Sequence, residues 1–226
     1  MLRILHEDEQ ILAVDKPPGR ISVGPGSDES LQAEASRHAG QRLFVVHRLD
    51  RGTSGILLFA REIEAQRRLA RLFETRQVHK IYLALVQGQV EPPSGEIDLP
   101  LRAFGSGRMG VDPLGKPSQT AYEVRQRLPT SDLLTLRPFT GRRHQVRVHC
   151  YAIGHPVMGD PRYGHPLPVG GAARLMLHAL ELSLPGASGA PLTLHAEPPD
   201  GFVSILREQG GSWPDPADAA AGPGDG

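Results

Sequence analysis

The chain has 226 residues, with 25 Lys or Arg balanced by 25 Asp or Glu, so its formal net charge is zero with the ten histidines neutral. An apolar fraction of 39% belongs to a folded globular chain of one large or two small domains and excludes disorder throughout. No apolar run reaches the roughly 18 residues of a membrane span, the first residues lack a secretory-signal pattern, and one cysteine, Cys150, leaves no intramolecular disulfide or multi-cysteine metal site.

The cytosol is therefore the default location. Along the chain, residues 2–5 and 10–15 read as a short hairpin, closed by the turn signal KPPG at Lys16 to Gly19. Residues 31–39 suit a short helix. The apolar runs LFVVH (43–47) and GILLFA (55–60) have strand length, and the polar insert RLDRGTS between them reads as a turn held on two core strands. In 61–76, Ile63, Leu69, Leu72 and Phe73 recur near a 3.6 period and predict an amphipathic helix, while KIYLALVQG (80–88) alternates as a strand. Further strands are expected at 119–127 and 133–139.

Thr140 then offers a cap for a helix that puts Val146, Cys150 and Ile153 on one face, with Gly154 and Pro156 as stop signals. A strand through HQVRVH is the competing interpretation, and the end signals favour the helix. Residues 175–184 and 192–196 are expected as strands and 199–208 as a short helix. Together these elements predict an α+β domain over 1–208, with strands and helices interspersed, and a disordered tail over 209–226.

Neutrality conceals a segregation of charge. Residues 41–80 carry nine basic and four acidic groups and residues 101–150 carry nine and three, while 1–40, 81–100 and 151–226 are all net acidic. Of the 25 basic residues, 22 are arginine, whose planar fork suits phosphate oxygens and stacked bases. Solvated Arg-rich helices would give the same count, so charge alone leaves nucleic-acid binding open.

No P-loop, dinucleotide fingerprint or H-E-x-x-H pattern occurs, which removes support for nucleotide cofactors and zinc. Carboxylates are scarce near the basic segments, so Asp50 stands out. It lies in HRLDRGTSG between Arg48 and Arg51. An aspartate before glycine commonly bonds its own turn, and the same residue among arginines in a cleft could serve as nucleophile or base. The extra Leu49 and the missing Asn, Gly-rich loop and D-F-G separate this segment from a kinase catalytic loop.

Five blocks in order, HRLDRGTSGILLFA (47–60), KIYLALVQG (80–88), TGRRHQVRVH (140–149), GHPVMGDPRYG (154–164) and LMLHALELSLP (175–185), together resemble the RluA-type family of RNA pseudouridine synthases. The resemblance spans about residues 10–205. It implies the pseudouridine synthase fold, a mixed and mainly antiparallel sheet with flanking helices and a central RNA-binding cleft. It also implies isomerisation of chosen uridines in ribosomal or transfer RNA, without cofactor or metal, by a monomer whose partner is RNA.

Carried over by position, the resemblance makes Asp50 the catalytic carboxylate, Tyr82 the tyrosine that packs on the target base, and Arg147 the partner of the aspartate. Arg48 would hold the RNA once the uridine has flipped out, and Leu177 would wall the base. His47 and Thr53 from the first block, with Arg142, His144 and Gln145 from the third, complete the expected substrate contacts. The chemistry asks for such groups: a base inside a stack must be extruded, met by an aromatic face and held while its phosphates are gripped.

His47, His144, His149 and His178 do not show metal-pair spacing, since His144 and His149 stand five apart. Tyr163 either packs in the GHPVMGDPRYG loop or touches RNA. Arg20 and ISVGPG after DKPPG depart from the family pattern, and no room is expected for an S4-type domain before residue 10. Arg102, Arg108 and Lys116, in the segment 102–119, suit phosphate contacts. Other classes remain open: a noncatalytic RNA-binding protein on the same scaffold, and more distantly a metal-dependent nuclease.

Overall fold

A computed structural model of the chain describes residues 2–24, 29–105, 107–164, 172–186 and 189–214. Its first unit is the hairpin β1 (Arg3–Glu7) and β2 (Ile11–Lys16), paired antiparallel. Helix α1 (Leu31–His38) follows, its N-terminus capped by the Ser30 side chain, which accepts from Ala33 N–H at 3.2 Å. Two strands, β3 (Phe44–Val45) and β4 (Ser54–Ala60), flank the polar insert, and α2 (Ile63–Glu74) takes up the expected amphipathic run.

Every residue of β4 is buried, and its two faces serve different cores. Ile56, Leu58 and Ala60 pack with Ala65 and Leu69 of α2, while Leu57 and Phe59 pack with Leu31 and Ala35 of α1. A strand covered on both faces has no polar side to show, which is why its sequence reads as an unbroken apolar run. Each such Leu or Phe contributes on the order of 1.5–3 kcal/mol by leaving water.

The second half of the sheet is built from β5 (His79–Gln87), β6 (Ser94–Asp98), β9 (Gln119–Arg127) and β10 (Ser131–Pro138), together with β11 (Leu177–Pro185) and β12 (Pro191–His195). A separate ribbon pairs β7 (Leu101–Ala103) with β8 (Met109–Val111). Helix α3 (Gln145–Ala152) and helix α4 (Asp200–Glu208) place Val146, Cys150, Phe202 and Leu206 in the largest core, with Leu83, Leu85, Leu134 and Leu136 of the strands. None of the described helices is long and apolar enough to cross a membrane.

The main sheet runs β1-β2-β4-β11-β5-β10-β9-β6, with β3 added to β4 and β12 to β11. Its named ladders are antiparallel except that between β4 and β11, where His178 lies opposite Ser54 and Ala179 opposite Gly55. That parallel seam joins two antiparallel halves, as expected for a mixed, mainly antiparallel sheet. Gly55, Ala179 and Tyr82 fall in one row across β4, β11 and β5. The row needs a small residue at its end: Gly55 has φ +108°, and a Cβ there would stand 2.1 Å from the carbonyl oxygen of Ala179.

The structure departs from the sequence expectations in three places. The run at 43–47 forms only the two-residue β3, because His47 turns its ring back onto the sheet. Strands β6, β7 and β8 are only five, three and three residues long, too short for an alternation to have been seen. The expected disordered tail starts too early, since residues 209–214 pack on β9: Ser212 exchanges hydrogen bonds with the Gln126 side chain at 2.8 and 3.0 Å, and Trp213 donates to Glu197 at 2.7 Å. Residues 215–226 lie outside the described residues.

Because Gly55 combines a left-handed backbone with contact against Ala179, Gly55→Ala is expected to destabilise the domain by roughly 2–4 kcal/mol. Urea unfolding at unchanged m-value measures it.

Candidate active site

The loop between β3 and β4 carries Asp50 and is fastened on both sides. Lys16, the last residue of β2, is fully buried, and its ammonium donates to the carbonyl oxygens of Pro17 (3.1 Å), Arg51 (3.1 Å) and Thr53 (2.7 Å). Two of those acceptors, Arg51 and Thr53, lie just after Asp50, so one cation ties the hairpin to the C-terminal side of the turn. Burial pushes that ammonium down to about 7. Ser22 adds a second tie, donating to Leu49 O at 2.8 Å and accepting from Leu49 N–H at 3.1 Å. Gly19 and Arg51 exchange backbone and side-chain bonds at 2.8 and 2.9 Å. The KPPG segment thus does more than turn the chain: it is the bench on which the Asp50 loop rests.

Arg147 of α3 reaches this loop from the other half of the sheet. Its Nη1 donates to Asp50 Oδ2 at 2.8 Å, while Nε and Nη2 form a two-pronged pair with Asp160 at 2.7 and 2.8 Å. The Asp160 side chain is fully buried and also accepts from the backbone N–H of Arg162 (2.9 Å) and Tyr163 (3.1 Å). Burial raises the Asp160 carboxyl, but the Arg147 bonds and charge and the two N–H donors outweigh it, so its pKa lies below the ordinary value. For Arg147 burial likewise opposes the charge, and Asp160 first, then Asp50, lift the guanidinium above its usual range. The residue before Asp160 has to be glycine: Gly159 has φ +68°, and a Cβ there would stand 1.9 Å from the Arg174 carbonyl oxygen.

His144 stands just before α3 with φ 55°, a left-handed backbone that costs a non-glycine residue roughly 1–3 kcal/mol. That twist turns its ring toward Asp50, placing Nε2 3.7 Å from Oδ1, and toward the Tyr163 hydroxyl, 2.7 Å from Nδ1. Tyr163 is buried, and the Arg147 guanidinium lies 5.0 Å from its ring centre. The expected helix at this point is observed, although it begins at Gln145 rather than after Thr140. The Thr140 hydroxyl instead donates to Gln145 Oε1 at 2.7 Å.

Tyr82 projects from β5 in the row with Ala179 and is half-buried. Burial, and then the Asp50 charge, push its phenol well above the ordinary range, so it stays protonated at neutral pH. Asp50 retains 24% side-chain exposure, so the carboxylate is reachable beside an aromatic face. Around them Arg48, Arg142 and Arg143 are exposed, and Arg48 forms no ion pair among the described residues. Among the described residues, no group of three or more His, Cys, Asp or Glu gathers to hold a metal.

Asp50, Arg147, Tyr82 and His144 are thus brought together, with Arg48 beside them in sequence. Four expected substrate contacts have other work. Gln145 is buried, and its amide bonds Thr140, Arg142 N–H, Gln119 O and Thr120, fastening α3 to β9. The His47 ring stacks on Phe73 at 5.0 Å and accepts from Leu58 N–H at 3.0 Å, burial pushing it down to about 3. Thr53 and Leu177 are buried, the first in the turn under Lys16 and the second in the largest core. Arg142 donates to Pro117 O at 3.3 Å and remains exposed. Lys16 and Asp160 escaped sequence reasoning; a lone lysine in a turn motif and a carboxylate in a Gly/Pro-rich loop were the available signals.

A family model described as RNA pseudouridylate synthase matches residues 10–152. The chain is 43% identical over 190 residues to the dual-specificity RNA pseudouridine synthase RluA of Vibrio vulnificus, covering 80% of this chain and 76% of that protein. It is 39% identical over 224 residues to the ribosomal large subunit pseudouridine synthase D of Nitrosomonas europaea, covering 91% of this chain but only 64% of that longer protein. A solved structure, human RNA pseudouridylate synthase domain containing 1, superposes with a TM-score of 0.78 at 30% identity, covering 91% of this chain and 87% of that one.

Asp160→Asn leaves Arg147 buried beside a neutral amide and is expected to cost roughly 3–5 kcal/mol at neutral pH. Because the folded carboxyl titrates below its ordinary value of 3.8, this contribution is complete above 3.8 and is lost as pH falls through the lower folded value. Chemical denaturation of both proteins across acidic pH should show the gap narrowing in that window.

Proposed function

The chain belongs to the RNA pseudouridylate synthase family, and from that membership we propose that it isomerises chosen uridines of ribosomal or transfer RNA with Asp50 as the reacting carboxylate. The observation that carries the assignment of Asp50 is the bridge Asp160–Arg147–Asp50, which fixes one oxygen of a reachable carboxylate, while the other oxygen faces His144 Nε2 at 3.7 Å.

The reaction breaks the N1–C1′ bond and forms C5–C1′, while N1 gains a proton and C5 loses one. It is redox-neutral and draws its atoms from the substrate, so the proposal requires neither cofactor nor metal. Asp50 can enter by attacking C1′, by adding to C6 or by taking the C2′ proton, and the same oxygen serves each route. Tyr82 supplies a face for the extruded base and, being held as a phenol, a hydroxyl near the ring. Arg147 offsets charge on Asp50 and restricts its rotation.

Base extrusion requires cations that hold the displaced backbone. Arg48, Arg142 and Arg143 are exposed beside the site, and Arg102, Arg108 and Lys116 lie on the β7–β8 ribbon and the segment after it. Acidic residues concentrate in other segments, so the attraction is local and the fold of the target RNA has to complete recognition. In this proposal the chain works in the cytoplasm as a monomer.

Two measurements test the reading. On transcribed ribosomal and transfer RNA containing 5-tritiated uridine, Asp50→Ala should slow tritium release by about three orders of magnitude or more while RNA affinity stays within a few fold. Release at the wild-type rate would return the chain to a noncatalytic RNA binder or to a different reacting group. Arg48→Ala should weaken binding to all RNAs and reduce the slope of log affinity against log salt by about one.

A further inference from the structure

The steps above use Asp50, Arg147 and Tyr82 and leave His144 without a task. Its imidazole sits between Tyr163 and Asp50, with Nδ1 2.7 Å from the phenol oxygen and Nε2 3.7 Å from Oδ1. The Tyr163 hydroxyl already accepts a hydrogen bond from Met109 N–H at 3.0 Å, and its side chain is 1% exposed. A phenol has one proton to give, and among the described residues His144 Nδ1 is the acceptor within its reach. The hydroxyl therefore donates to Nδ1, and the neutral imidazole carries its proton on Nε2, facing Asp50.

Arg147 hydrogen-bonds Oδ2 of Asp50 at 2.8 Å, whereas His144 Nε2 faces Oδ1 at 3.7 Å, a separation at which its N–H acts on that oxygen electrostatically. The left-handed backbone of His144 is held by this arrangement, the Tyr163 ring packing edge-on at 5.6 Å and 74°. We propose that His144 is a positioning residue whose Nε2–H, fixed by Tyr163, orients the Oδ1 oxygen of Asp50 toward the substrate. This rests on Asp50 being the reacting carboxylate.

Burial lowers the imidazole pKa from 6.5; Asp50 pulls the other way, and Arg147, Arg143 and Arg162 add to the lowering. These charges and the Tyr163 phenol are the groups that face it. Protonation reverses the Tyr163 bond, since Nδ1 becomes a donor to the phenol, and the added positive charge draws Nε2–H onto Oδ1 and ties up the oxygen that must react. Activity therefore falls on the acid side as His144 takes up a proton, in a window below 6.5.

Nitrogen NMR on the unaltered full chain reads the tautomer without depending on a variant's folding. The expected state is Nε2–H, with a titration midpoint that falls further in Asp50→Asn, where the favourable carboxylate charge is gone. Single-turnover tritium release from the same ribosomal and transfer RNA gives the second readout. His144→Ala should lower the maximal rate roughly ten- to a hundredfold with half-saturation little changed. His144→Gln, which can offer an amide N–H, should recover part of the rate, and in both variants the acid limb should move to lower pH. An Nδ1–H tautomer, or an acid limb that stays in place in His144→Gln, overturns the role of His144. Wild-type release by Asp50→Asn with the Nε2–H tautomer intact would instead overturn the catalytic assignment on which this role rests.

Discussion

The site depends on one buried ion pair. Asp160 meets Arg147 with two parallel hydrogen bonds and is itself held by two backbone N–H groups, so the guanidinium cannot turn. Only its remaining nitrogen faces Asp50. An exposed Arg–Asp contact would be worth little and would wander. Withdrawn from water and doubly bonded, it becomes a fixed point, and breaking either side leaves a buried charge uncompensated. The chemistry thus leans on a residue that need not touch RNA.

The fold brings that fixed point to the right place by joining two antiparallel halves at a short parallel seam. Asp50 comes from the loop entering β4, on one side; Tyr82 and Arg147 come from β5 and α3, on the other. Gly55 and Ala179 keep the seam narrow enough for Tyr82 to share a row with β4. Lys16 and Ser22 close the other flank, the ammonium binding carbonyls of Arg51 and Thr53 just after Asp50 and the hydroxyl binding Leu49 just before it. Rigid elements converge on a single loop, which is what a carboxylate needs if it is to act without reorganisation.

Much of this was legible in the residues. The strands and helices with clear periodicity, β2, β4, β5, β9, β10 and all four helices, stand close to where their patterns put them. The block HRLD marked Asp50 correctly as a turn residue among arginines, and the family resemblance supplied Tyr82 and Arg147. What stayed hidden was long-range pairing. Nothing local says that Arg147 reaches Asp160, thirteen residues on, or that Lys16 spans to Thr53. The same limit hid the internal partners of Gln145 and His47: sequence places a polar residue beside a functional one but does not show that its hydrogen bonds run to the backbone of β9 or β4. Strands β6 to β8 were missed because five, three and three residues are too few to establish a period.

Zero net charge described the average of a segregated chain, in which residues 41–80 and 101–150 are net basic and the remaining segments net acidic, with exposed Arg48, Arg142 and Arg143 beside Asp50. A double-mutant cycle on turnover tests the central Asp160–Arg147–Asp50 bridge most directly, using Arg147→Lys, Asp160→Asn and the pair, with RNA saturating and all proteins shown to be folded. If Asp160 serves the reaction through Arg147, the double variant is no slower than the slower single one. Losses that simply multiply would show that the two residues act independently and that Asp50 is positioned by something else.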